Sequence, residues 1–270
     1  TQRPRVGLLV GRQLDGQHEV GRLPGGGQHT GAHRRLVDRA LVVQRVRLVV
    51  LCRHKVNGRH LREQLAERRV VDDVRVAALA DPVQSSLDAS IAEIGHETPT
   101  FADAAAMMSG ATLDAVIVCS PNFTHRAVLE PLLDAGCHIL CEKPLCTTLA
   151  DARWVVERAA RSHSVFWTAM EYRFMPPVKA FIEDIHAGSI GRLVMLSIRE
   201  HRFPFLVKVG DWNRFNRNTG GTMVEKCCHF FDLMRFILQE DPVAAMGMGG
   251  QAVNHQNEAY NGEKPDIFDH

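Results

Sequence analysis

Apolar residues come in two textures along this chain. From residue 74 onward, short runs of consecutive apolar residues alternate with stretches in which apolar positions recur every three or four residues. The short runs are Val74-Arg-Val-Ala-Ala-Leu-Ala80, Asp114-Ala-Val-Ile-Val-Cys-Ser120, Cys137-His-Ile-Leu-Cys141 and residues 164–170. They predict strands buried on both faces, as in a parallel sheet. The helical spacing predicts helices over residues 86–94, 101–108, 124–135 and 149–162, with Gly95 and Gly136 as C-terminal stops. Strands alternating with helices of this length predict βαβ units and an α/β fold. Past Pro176-Pro177 the order changes. A helix over 178–187 and a Gly188–Gly191 turn lead to an extended run over 193–199. A loop rich in Asn, Arg and Gly then precedes a long helix from about residue 222 to 238.

Residues 1–70 lack both periods. They hold 15 Lys and Arg against 5 Asp and Glu, 9 of the 21 Gly, and no aromatic ring of Phe, Tyr or Trp, the first of which is Phe101. The near-neutral total of +1 hides this imbalance. A basic segment without interleaved aromatics or a reading helix is a poor nucleic-acid surface, so residues 1–71 are expected to be an atypical, disordered or mistranslated segment. One apolar stretch inside it, residues 40–52, reads as one or two strands. No apolar run approaches the roughly 18–20 residues of a membrane span. The odd total of 7 Cys, without a framework spacing, points to reduced thiols and a cytoplasmic setting. Secreted, membrane and collagen-like classes are excluded on these grounds.

In a parallel sheet, functional groups collect at the carboxyl ends of the strands. Three positions stand out there or nearby. Asp81 follows the first run and can accept hydrogen bonds from the two ribose hydroxyls of an adenosine; the plainer reading of Asp81-Pro82 is a turn. Glu142-Lys143-Pro144 follows the third run, where a lysine can hold a hydroxyl oxygen or relay a proton; the plainer reading is a surface lysine, and the same tripeptide recurs at Glu263-Lys264-Pro265. The helix over 222–238 puts Glu225, His229 and Asp232 on one stripe, so the carboxylate of Glu225 can orient the imidazole as a general base, or form only a solvated pair. Gly220-Gly221 just before it permits close approach of a ligand or of another segment. Cys137, Cys141, Cys146, Cys227 and Cys228 invite a metal reading, but Cys137 and Cys141 on one strand lie roughly 13 Å apart at about 3.3 Å per residue, too far for one zinc ion. They read as buried thiols, with no metal.

Taken in order, the pieces Val74–Asp81, Asp114-Ala-Val-Ile-Val-Cys-Ser-Pro-Asn-Phe-Thr-His125, Gly136-Cys-His-Ile-Leu-Cys-Glu-Lys-Pro-Leu145, Glu171-Tyr-Arg-Phe174, Gly188-Ser-Ile-Gly191 and Gly220-Gly-Thr-Met-Val-Glu-Lys-Cys-Cys-His-Phe-Phe-Asp232 resemble the glucose–fructose oxidoreductase, inositol dehydrogenase and MocA (Gfo/Idh/MocA) family. The resemblance covers about residues 72–270. It implies a Rossmann domain over 72–171 and an α+β substrate domain over 172–270 with a mostly antiparallel sheet, which assembles into homo-oligomers in intact members. It implies hydride transfer between a secondary hydroxyl of a sugar or polyol and NAD. Asp81, Ser120, Pro121, Asn122, His125, Glu142 and Lys143 would bind the dinucleotide, and Asp81 would disfavour the 2′-phosphate of NADP. Lys143, His229 and Glu225 would be catalytic, with His229 as the base; Arg173, Asn213, Glu225 and His229 would contact substrate.

Three departures from the family pattern bear on function. Glu225 stands where the family usually has Asp. No Gly-rich turn is recognisable before Val74, since Gly7, Gly11 and Gly16 have the wrong spacing and Gly25-Gly26-Gly27 leads into Gln28 and His29. The first βαβ element, and with it the central strand, is therefore expected to be missing. The sequence ends at Asp266-Ile-Phe-Asp-His270, where the family continues into further strands. These departures support an alternative expectation, a non-catalytic remnant or binding module of the same ancestry.

Overall fold

The hydrogen-bonding frame is a parallel sheet whose middle strand comes from the apolar stretch of the segment expected to lack the family's first βαβ element. A computed structural model of the chain describes residues 5–11, 46–52, 74–201, 204–206 and 208–270. The first unit runs β1 (Arg5–Gly11), β2 (Val46–Cys52), β3 (Val74–Ala80), α1 (Gln84–Ile94), β4 (Thr100–Phe101), α2 (Ala104–Gly110), β5 (Ala115–Cys119), α3 (His125–Leu133), β6 (His138–Cys141), α4 (Leu149–Ala159) and β7 (Phe166–Thr168). Six of these strands form one parallel sheet in the order β4-β3-β2-β5-β6-β7. Strand β2 pairs with β3 on one side and with β5 on the other, Val50 opposite Leu79 and Ile117. The expectation of a missing central strand is thus corrected: the apolar part of residues 40–52 fills that place, because only an apolar strand suits a position flanked by strands on both edges and helices on both faces. The rest of the reading of residues 1–71 lies outside the described residues.

Alternating residues of the sheet feed two cores. Ala78 and Ala80, Val116 and Val118, and Ile139 and Cys141 point to one face and pack on Met107 of α2, Leu129, Leu132 and Leu133 of α3, and Val155 of α4. Leu79, Ile117 and Cys119 point to the other, against Leu87 and Ile91 of α1. Local chemistry sets where the helices begin. Asp103 caps α2 by accepting from the Ala106 N–H at 2.8 Å, and Thr148 caps α4 by accepting from the Asp151 N–H at 3.1 Å. Gly95 ends α1 in the left-handed region at φ 77°.

The second unit runs α5 (Pro176–His186), β8 (Met195–His201), α6 (Asn216–Thr219), α7 (Thr222–Glu225) and α8 (Cys228–Leu238). Strand β8 pairs antiparallel with β1 in a sheet of its own. Leu196 and Ile198 on its inner face pack with Ile182 and Ile185 of α5 and Leu233 and Ile237 of α8. The single helix expected over 222–238 is two helices. Two turn residues, Lys226 and Cys227, interrupt it while their backbone stays in the right-handed helical region, Lys226 at φ −107° and ψ −49°, and the Lys226 side chain pairs with Glu200 on β8. Strand β8 itself starts and ends two residues later than the run over 193–199.

Leu129 is fully buried between helix and sheet. Leu129→Ala is expected to lower unfolding free energy by about 3 kcal/mol through lost transfer energy and the cavity left behind, measurable as a shift in the urea midpoint at unchanged slope.

Candidate active site

Three strands end on the same pattern, a buried apolar residue followed by a polar one. Asp81 follows Ala80, Ser120 follows Cys119, and Glu142 follows Cys141. The backbones still run in the ladder at these points, with the Asp81 N–H donating to Phe101 O (3.1 Å) and the Glu142 N–H to Val118 O (2.8 Å). Their side chains therefore converge along one edge of the sheet. Asp81 is 3% exposed, and its Oδ1 accepts from the Val83 N–H at 2.8 Å. Beside it, Ser120 and Pro121 lead into a 3-10 turn at Asn122–Thr124, whose Thr124 hydroxyl donates to Ser120 Oγ at 2.8 Å. Asn122 is buried, and among the described residues its Nδ2 has no hydrogen-bond partner. A buried amide donor without a partner is costly, so an acceptor is called for at this edge. A dinucleotide supplies one, and its ribose hydroxyls suit the carboxylate of Asp81; the residues present fit the cofactor.

Lys143 follows Glu142 and crosses to the second unit. Its Nζ donates to the carbonyl of Glu225 at 3.1 Å, joining residues 82 apart in sequence. The break after α7 exposes that carbonyl, which also accepts from Cys228 Sγ at 3.6 Å. Gly220 makes the approach possible. At φ 78° it is left-handed, and a Cβ there would lie 2.8 Å from the Thr147 carbonyl of the first unit. Immediately beyond, His229 is 2% exposed, with Nε2 3.4 Å from Glu171 Oε1. The Tyr172 ring stacks on its imidazole, centroids 4.1 Å apart and planes 5° from parallel.

The charges around this point interact. Burial, the largest effect, pushes the Glu171 carboxyl above its ordinary value; Glu142 adds to the push, while Lys143 and Lys226 oppose it. Burial likewise lowers the Lys208 ammonium, with Lys143 assisting and Glu225 and Glu142 pulling it back. The Cys228 thiol, beside the same groups, is pushed up to about 11, chiefly by burial, so it sits there as an uncharged thiol. Among the described residues, no cluster of His, Cys, Asp and Glu forms a metal site.

The expected site residues do not all face this cleft. Asp81, Ser120, Pro121, Asn122, Glu142 and Lys143 line the sheet edge, the Glu225 carbonyl meets Lys143 across from it, and His229 follows one helical turn after Glu225 against Glu171 and Tyr172. His125 differs. It has no exposed surface, and its ring nitrogens face the carbonyls of Ser120 (2.9 Å) and of Pro144 and Leu145 (2.9 and 3.2 Å). It ties the turn after β5 to the turn after β6 from behind, in place of the expected dinucleotide contact. Arg173 forks onto Asp232, with Nε donating to Oδ2 at 2.5 Å, and lies over the Phe236 ring. Asn213 is 1% exposed and donates to Leu206 O at 3.0 Å, holding its own loop. Both are committed to protein partners rather than to a substrate. Glu171, Tyr172, Lys208 and Lys226 were not singled out from sequence. Glu171 carries the signal that found the others, a carboxylate just past the end of a strand, here β7.

The raised Glu171 carboxyl fixes a sign. The unfolded chain releases this proton first, near the ordinary value of 4.5, so stability falls as pH rises through that value to the higher folded one. Glu171→Gln removes this loss. Its urea midpoint relative to wild type is expected to increase as pH rises above about 4.5, and a pH-independent difference would contradict the raised carboxyl of this partly exposed side chain.

Comparison with known proteins agrees with this geometry. Residues 53–170 match the model of an oxidoreductase family with an NAD-binding Rossmann fold, and residues 182–268 match the C-terminal alpha/beta domain of the same family. The first match begins directly after β2, some twenty residues before the resemblance read from sequence. The rhizopine catabolism protein MocA of Rhizobium meliloti is 29% identical over 175 residues, 63% of this chain and 51% of that protein. Inositol 2-dehydrogenase of Rhizobium meliloti (strain 1021) is 30% identical over 172 residues, 64% of this chain and 50% of that protein. A putative myo-inositol dehydrogenase from Sinorhizobium meliloti 1021 superposes with a TM-score of 0.60 at 28% identity, over 73% of this chain and 56% of that one. The chain spans about half the length of the relatives it matches. With both domain models matched in order and the strand-end residues gathered in one cleft, the chain belongs to the Gfo/Idh/MocA oxidoreductase family.

Proposed function

We propose that this chain carries the active site of an NAD-dependent dehydrogenase that moves a hydride between a secondary hydroxyl of a sugar or polyol and the nicotinamide. The observation that carries the reading is Lys143. It stands at the end of a parallel strand, where a dinucleotide binds in such folds, and its ammonium is held 3.1 Å from Glu225 O, on the element that leads into His229. When bound, NAD supplies the hydride acceptor. The protein's own part is to place and deprotonate the hydroxyl. Lys143 offers a proton-donor contact to the substrate oxygen and stabilises negative charge developing on it. His229, buried and flanked by a carboxylate, takes the hydroxyl proton as the C–H bond gives up its hydride. Glu142 and Glu225 set the field around the lysine. Asp81 holds the ribose and repels a 2′-phosphate, which favours NAD over NADP. The presence of β2 at the sheet centre removes one motive for reading the chain as a non-catalytic remnant. The similarity to inositol dehydrogenases supports a cyclic polyol or sugar as the substrate class, and the free thiols of the described cysteines support a cytoplasmic setting.

Fluorescence titration with NADH tests the first step. Saturable binding at micromolar levels is expected, with Asp81→Ser narrowing the preference for NADH over NADPH by about tenfold, the equivalent of roughly 1.4 kcal/mol. Turnover is then screened with polyols and sugars. Lys143→Met is expected to lower kcat by roughly 100-fold or more while NADH still binds. Full turnover in that variant would remove Lys143 from the mechanism.

A further inference from the structure

His229 is held by more than its position in α8. Tyr172 lies flat on one face of the imidazole, at 4.1 Å and 5°. Lys226 in turn holds Tyr172. Its ammonium donates to Tyr172 Oη and lies 4.7 Å from the centre of that ring and 5.5 Å from the centre of Phe230. Lys226 also pairs with Glu200 Oε2 at 3.0 Å, and both side chains are about nine-tenths buried. Glu200 shares the inner face of β8 with Leu196 and Ile198, which pack into the core of the second unit. A continuous line of contacts thus runs from a strand of that core, through an ion pair and a phenol, to the face of the imidazole. Glu171, next to Tyr172 in sequence, meets the ring edge at Nε2.

A buried ion pair is an expensive way to fill space. Two apolar side chains of similar volume are often as stable or more so, whereas one charge left without its partner costs several kcal/mol. Lys226 stands with Glu225 and His229 in a stretch whose other residues, from Met223-Val224 to Phe230-Phe231, are apolar or thiols, and it coincides with the interruption between α7 and α8. That break lets three nearby residues take separate tasks. Glu225 turns its carbonyl to Lys143, Lys226 turns inward to Glu200, and His229 meets Tyr172 and Glu171. Lys226 also gives the phenol a defined place, since Tyr172 is bonded at its hydroxyl and faces the imidazole with its ring.

From this geometry we infer that Glu200, Lys226 and Tyr172, together with Glu171, form a clamp that fixes the orientation of the His229 imidazole. Stacking sets the plane of the ring, and the carboxylate sets the direction of Nε2 within that plane. A base accepts a proton along an in-plane lone pair, so a ring free to tilt spends less time aligned with a hydroxyl. The members of the clamp are positioning residues, which act on the reaction through His229. The inference rests on the dehydrogenase reading only in giving the oriented imidazole a proton to take.

The clamp is testable without turnover, by NMR of the full chain with isotope-labelled histidine, the His229 signals being assigned by their loss in His229→Asn. A stacked tyrosine shields the ring protons of the imidazole, so these are expected upfield of ordinary histidine positions. Tyr172→Leu and Lys226→Met should move them downfield while the other histidine signals stay in place, and Tyr172→Phe should leave them upfield. If Lys226→Met leaves an unpaired Glu200 that unfolds the chain, Lys226→Met combined with Glu200→Leu removes both charges and poses the same question. Unmoved His229 signals in a folded Lys226 variant would overturn the clamp. With an active substrate in hand, Lys226→Met is expected to lower kcat by roughly 100-fold with KM little changed, and Tyr172→Phe to retain most of the rate. Clamp shifts present in a wild-type chain that turns over no polyol or sugar would count against the dehydrogenase reading and leave the clamp standing.

Discussion

A parallel sheet covered on both faces leaves one place for polar side chains, the edge where its strands end. Every residue of Val116–Cys119 is buried, and so are Ala78–Ala80, so no charge is accommodated along the covered part of these strands. The first polar residue is tolerated where the backbone still pairs with its neighbour but the side chain has passed the covering helices. Asp81, Ser120 and Glu142 occupy this position on β3, β5 and β6, and Lys143 follows directly. Their gathering in one cleft follows from the parallel register: the strands end at the same level, so residues from distant parts of the sequence are brought side by side.

The second unit completes what the sheet edge cannot. The sheet supplies carboxylates, a hydroxyl and one lysine at the ends of its strands; the proposed reaction also needs a group facing them. The approach of α7 to the sheet edge provides it, and the join is made by close backbone contact. Gly220 has no side chain to hold Thr147 away, and the carbonyl of Glu225 takes the Lys143 ammonium. In the proposed reaction Lys143 thus combines this structural bond with its contact to the substrate. Its ammonium is anchored at one point and retains further N–H donors for another.

The buried polar groups of the chain fall into two kinds. His125, Asn213 and Arg214 are satisfied by protein and hold turns together; Arg214, for instance, reaches Glu258 at 3.0 Å. Glu258 receives further hydrogen bonds from His255 and Tyr260, and despite the opposing push of burial its carboxyl is held down to about 2. Asn122 is of the other kind, a buried donor at the sheet edge without a hydrogen-bond partner among the described residues. Residue type does not separate the two kinds. Asn122 and Asn213 are the same side chain at similar burial, and only the position of a carbonyl (Leu206 O for Asn213) distinguishes a loop brace from a binding group.

The apolar runs and helical spacings after residue 74 determined the strand and helix order of the first unit, because a buried strand must be apolar and a covering helix must be amphipathic. The strand-end rule likewise made Asp81, Glu142 and Lys143 legible from sequence alone, while Ser120 came only with the family resemblance. The central place of β2 was not legible. Its apolar residues lie in a segment of otherwise basic and glycine-rich composition, and pairing between β3 and β5 is a long-range choice that local pattern does not carry. Nor was the interruption at Lys226 and Cys227, through which the helical spacing continues unbroken. The carboxylate placed against His229 Nε2 was not legible either, because Glu171 is 3.4 Å away in space and far away in sequence. Periodicity reports which face of an element is buried. Which side chain meets which across a cleft depends on how the elements are packed, and that is settled by the tertiary structure.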